Sequence, residues 1–186
     1  MNALVEDQMS RLRKALDSDE VRTYFDSENG LKGNRIYFGR YTSQTIGKKN
    51  YDLICEEANN KDNNRIRNSQ EEKVAAELQA LNEKSENIIK YYNSLSEKEK
   101  KQSNKSDAPF ISTRLDKKCR TSEMVTRWDM QETPPDIMIT NTSMLSTMLM
   151  RHAERPIFEK TKEWLKNKSH VFHLIVDELH LYRGTS

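Results

Sequence analysis

Residues 134–151 read PPDIMITNTSMLSTMLMR. The prolines interrupt whatever precedes them. The stretch 136–140, DIMIT, is a short apolar run of the buried-strand type. Asn141 and Thr142 supply capping side chains, and the apolar residues over 141–151 continue as a helix. A second helix fits 155–167, with Pro156 early and Ile157, Phe158, Thr161, Trp164 and Leu165 on its inner side. Residues 171–176, VFHLIV, then look strand-like again. Strand, helix, helix, strand is the order of a parallel crossover. Its strands are covered on both faces and therefore read as continuously apolar. An α/β fold is expected.

Working towards the N-terminus, residues 93–107, NSLSEKEKKQSNKSD, form a charged low-complexity linker. Val74, Leu78, Leu81, Ile88, Ile89 and Tyr92 recur at helical spacing, which predicts an amphipathic helix over 70–92. Residues 56–69 read as loop. RIYFGRYT, 35–42, is rich in β-formers and predicts a short strand running into a turn. The polar stretch 17–34, with Gly30 and Gly33, reads as loop. Leu4, Val5, Met9, Leu12 and Leu16 share one stripe of a helix over 3–16. Three regions follow: 1–55, an insertion over 56–132 and a closing unit over 133–186.

Of the 186 residues 34% are apolar and 32% charged, so a core built from a few segments beside a long solvated insertion is expected. The net charge of +2 does not by itself argue for nucleic acid. Cys55 and Cys119 lie far apart and read as reduced thiols of a cytoplasmic protein. No apolar run approaches a membrane span, and no membrane partner is expected.

The chemistry concentrates in HVFHLIVDELHLYRG, 170–184. Asp177 and Glu178 end the strand-like run, and ligands of open parallel sheets bind beyond strand C-termini. One acid there can hold Mg²⁺ through water, and the next can activate a water. His180 could then hydrogen-bond towards a neighbouring segment. Acid pairs also cap helices or face solvent, so local chemistry leaves both readings open. His170, His173 and His180 with Cys119 lack the tight clustering of a structural zinc site. Met144, Met148 and Met150 are assigned to core packing, with a sticky partner groove as the alternative.

LIVDELH resembles the D-E-x-H box of superfamily-two DEAD/DEAH helicases, and DELHLYRG resembles the large bacterial type. MNALVEDQMSRL is similar to their motif Ia, PPDIMITNTSMLSTMLMR to the motif Ib region, and RIYFGRYTSQT to a segment between the two. The order matches that of the family. The resemblance implies part of a RecA-like, P-loop NTPase domain with helices on both faces of a parallel sheet. It implies a nucleotide-binding ATP-dependent helicase or translocase that acts on nucleic acid, DNA rather than RNA, with ATP and Mg²⁺ as cofactors. Asp177 would hold Mg²⁺ through water, Glu178 would activate water, and His180 would couple hydrolysis to strand movement. Thr140, Asn141 and Ser143 would touch the nucleic-acid backbone. Arg40 and Thr42 are further phosphate contacts, and Asn2 and Gln8 fall in the motif Ia match.

A phosphate cradle of the form G-x-x-x-x-G-K-[ST] is not met: TSQTIGKK, 42–49, has Thr42 where Gly belongs and Lys49 where a hydroxyl belongs. The resemblance therefore implies an internal piece of a larger helicase, from motif Ia to motif II. Its partners would be the missing helicase segments or a complementing chain, and alone it would not hydrolyse ATP. Repair and phage defence both remain open. The other reading is a non-catalytic adaptor that binds DNA or a protein through residues 70–120.

Overall fold

The computed structural model describes residues 2–47, 64–100 and 121–177. Three short strands form one parallel sheet: β1 (Phe38–Tyr41) lies in the centre, with β2 (Glu123–Met124) on one side and β3 (Ile137–Thr140) on the other. Phe38 stands opposite both Glu123 and Ile137, and Tyr41 opposite Thr140. The two strands expected over 35–42 and 136–140 are therefore neighbours in register. The stretch 121–132, grouped above with the insertion, supplies β2 and a helix of the core.

Side chains alternate along β1, so its two faces build two clusters. Phe38 faces the first helix, α1 (Asn2–Leu16), where Val5 and Met9 are buried against it and Leu12, Leu16 and Ile139 close the cluster. Tyr41 faces the opposite side. There it joins Met124, Met130, Met144, Met148 and Ile157, with Tyr37, Met138 and Phe158 packed around them. Gly39 lies on this second face. A Cβ added there would stand 2.7 Å from the Met130 sulfur and 3.0 Å from the Met124 carbonyl oxygen, so a side chain here would force Met130 and the neighbouring strand to shift.

The remaining helices among the described residues are α2 (Asp19–Asp26), α3 (Asn64–Ser94), α4 (Glu97–Lys100), α5 (Arg127–Glu132), α6 (Thr142–Met150) and α7 (Arg155–Trp164). A 3₁₀ turn, His152–Glu154, joins the last two. Caps explain their starts. Ser18, Thr126 and Asn141 each accept from the backbone N–H three residues on, with Asn141 at 2.8 Å from Met144 N. Pro156 sits in the first turn of α7. In α3, Val74, Leu78, Leu81, Ile88 and Tyr92 are half-buried, as the amphipathic reading expected. None of the described helices is long and apolar enough to cross a membrane.

Several expectations are corrected. Residues 64–69, read as loop, belong to α3, and α4 lies within the stretch read as linker. The stretch 17–34 is not all loop, because α2 begins at Asp19. Residues 171–176 are not a strand, and the crossover is not closed by a second one. Val171 is 62% exposed and Ile175 89% exposed. A β-prone run forms a strand only when an edge pairs with it and a layer covers it. Neither is supplied to 171–176 among the described residues. Asp177 accordingly follows an exposed segment without regular structure rather than a strand tip. Glu178 and His180 lie outside the described residues.

Candidate functional site at the C-terminal edge of the sheet

All three strands run the same way, so their C-terminal ends gather at one edge. Tyr41 and Thr140 end β1 and β3 side by side, and the Thr140 hydroxyl donates to the Tyr41 carbonyl at 2.7 Å. The chain leaving β1 folds into a tight turn. Thr42 N donates to Thr45 Oγ1 at 2.9 Å, Thr45 Oγ1 donates to the Arg40 carbonyl at 2.7 Å, and Gln44 N donates to Thr42 Oγ1 at 3.3 Å. Past β2, Thr126 bridges to Ile46, and Arg127 N donates to the Ile46 carbonyl at 2.9 Å. The turn after β1 is thereby tied to the start of α5.

At the same edge α6 begins. Asn141 caps its first turn and Ser143 is exposed on it. The first N–H groups of a helix have no partner within it, and the helix dipole places partial positive charge there. This end of α6 suits an anionic oxygen.

Of the residues singled out in the sequence, Thr42, Thr140, Asn141 and Ser143 come together here. Thr42 is buried and its hydroxyl is used within the turn. Arg40 projects to the other face, where its guanidinium pairs with Glu6 of α1. Asn2 and Gln8 belong to α1. Asp177 lies in the exposed C-terminal segment. Among the described residues no three His, Cys, Asp or Glu side chains gather as a metal site. A role for Asp177 and Glu178 towards Mg²⁺ and water rests on the sequence box. His170 is engaged locally: its ring stacks on Trp164 at 4.2 Å and its Nδ1 lies 2.8 Å from the Trp164 carbonyl.

A buried polar cluster under this edge was not apparent in the sequence. Arg127 donates through Nη2 to the Thr42 carbonyl at 2.7 Å, and its guanidinium lies over the Tyr41 ring at 5.1 Å. Its Nη1 is 3.7 Å from Glu154 Oε1. That carboxylate is fully buried, accepts from the Tyr41 hydroxyl at 3.1 Å and meets Arg151 at 3.2 Å. Gln131 donates to the Tyr41 oxygen at 3.0 Å. Burial pushes the Tyr41 phenol above its ordinary range, so it stays a neutral donor. Burial also works against the Arg127 charge, which Tyr41 and Glu154 support and Arg151 opposes. The cluster fixes the Thr42 turn from below. Its members come from three separate segments, and only the Thr-x-x-Asp cap over 126–129 hinted at α5.

The chain is similar to Druantia protein DruE of Escherichia coli (strain UMEA 4076-1). The two are 32% identical over 197 aligned residues, which take in 99% of this chain and 10% of that protein. The chain thus spans about a tenth of the length of this relative. No family model matches the chain, and no solved structure matches it.

Proposed function

We propose that this chain is part of the first RecA-like domain of a nucleic-acid helicase or translocase driven by ATP and Mg²⁺, and that the edge built by Thr42, Thr140, Asn141 and Ser143 touches the phosphate backbone of single-stranded DNA. One observation carries the reading: the parallel register sets the end of β3, and with it the N-terminus of α6, directly beside the turn after β1. Hydroxyls, a side-chain amide and unpaired helix N–H groups are the donors that phosphate contacts use. In this reading Thr140 and Thr42 shape the loops, while Ser143 and the first turn of α6 meet the ligand. The D-E-x-H box supports the nucleotide chemistry. Asp177 and Glu178 would serve the metal and the attacking water in the intact protein, and His180 would link that site to movement.

The test is fluorescence anisotropy of a labelled single-stranded oligonucleotide with the purified chain. Ser143→Glu is expected to raise Kd about tenfold or more, because a carboxylate at an exposed helix N-terminus repels phosphate. Ser143→Ala should change it only about two- to threefold. Binding equally strong in Ser143→Glu would refute the proposed edge.

A further inference from the structure

Between α6, the 3₁₀ turn and α7 runs a groove of about 460 Å³, within the size range of ligand sites. It lies at the far end of α6, about 10 Å along the axis from Ser143. Met148 and Phe158 form its floor. Leu149 and Met150 line it while 66% and 86% exposed. The methionines therefore divide: Met144 and Met148 belong to the core, whereas Met150 stands in solvent beside a cavity. Adjacent exposed apolar side chains of this size mark a contact surface, and methionine suits one that must fit varied shapes.

The rim carries a net positive charge. Arg151, Arg155 and Lys162 line the groove with one acid, Glu159; Arg155 holds Glu159 at 2.8 Å and Arg151 meets the buried Glu154 at 3.2 Å, which leaves Lys162 as the cation with no acid beside it in these pairs. A cationic rim around an apolar floor complements a segment with apolar anchors flanked by carboxylates. Nucleic acid would match the charge but not the floor, which offers thioethers and a phenyl ring rather than donors for bases. We propose that this groove binds an acidic peptide segment of a protein partner, seating two or three apolar side chains between α6 and α7 with its carboxylates towards Lys162 and Arg155. Such docking is the helix-in-groove type of peptide recognition. It is separate from the edge proposed for DNA and does not depend on that reading.

The probe is a fluorescein-labelled synthetic peptide with Leu and Phe at helical spacing and Glu at the other positions. A version with Lys in place of Glu and a single-stranded oligonucleotide serve as comparisons. The expected result is saturable, salt-weakened binding of the Glu peptide. Met150→Asp and Lys162→Glu should each weaken it about tenfold, and the Lys peptide should not bind. Both positions are exposed, so the thermal melt by circular dichroism should not change. If one variant melts early, the other decides. Equal binding by wild type and variants, no binding, displacement of the peptide by the oligonucleotide, or a homodimer that Met150→Asp dissociates would each overturn the proposal.

Discussion

Replacing Arg127 with alanine is expected to destabilise the fold by about 3–5 kcal/mol, the range for removing one member of a buried charged pair. The guanidinium ties the Thr42 carbonyl, the Tyr41 ring and Glu154 together. Without it, Glu154 keeps only the partly exposed Arg151 as a countercharge, in a site with no access to water. The arrangement is already imperfect, since Arg127 Nε and Glu154 Oε2 have no hydrogen-bond partner among the described residues. A joint change, Arg127→Met with Glu154→Leu, should therefore cost much less than the sum of the single changes. Urea unfolding followed by circular dichroism measures both. A loss under about 1 kcal/mol for Arg127→Ala would mean that water reaches the cluster.

The second large effect is on pH dependence. Asp17 is fully buried at the end of α1 and accepts from Ser122 N at 3.1 Å. Burial pushes its carboxyl from 3.8 up to about 7, with Glu123 adding to the rise, while the Ser122 N–H, Arg22 and Arg35 oppose it. The folded state thus holds a proton that the unfolded chain releases near pH 4. Below pH 4 both states are protonated and burial of this group carries no ionic penalty. Stability should fall as pH rises from about 4 to 7 and level off above, a change of up to about 4 kcal/mol. Asp17→Asn keeps the acceptor for Ser122 and removes the titration. It should flatten this slope and stabilise the protein at pH 8 by about 1–3 kcal/mol, less than the full amount because the new amide N–H₂ needs partners. An unchanged slope would place the titration elsewhere.

Local pattern made part of this fold legible. The strands β1 and β3 and the helices α1, α3, α6 and α7 announce themselves by apolar spacing and by caps such as Asn141. The overlooked helices also had signals. Ser18 precedes Asp19 and Glu20, and Thr126 stands three residues before Asp129, but neither helix is long enough to show a periodic face. VFHLIV misled for the opposite reason: its β-propensity is strong, yet pairing is decided by a partner edge, which no local pattern reveals. The same limit applies to the site. Thr140, Asn141 and Ser143 are contiguous, so their shared position could be read directly. Thr42 joins them only through strand register. The face of Arg40 and the meeting of Arg127 with Glu154 depend on long-range packing.

Nucleotide-coupled action on nucleic acid is tested by DNA-stimulated ATP hydrolysis in a protein that carries this segment together with a phosphate cradle. Glu178→Gln preserves shape and removes the base that would activate water. A fall in kcat of about a hundredfold or more is expected, with oligonucleotide affinity unchanged. Hydrolysis at the wild-type rate in Glu178→Gln would contradict it and leave the D-E-x-H box without a catalytic part.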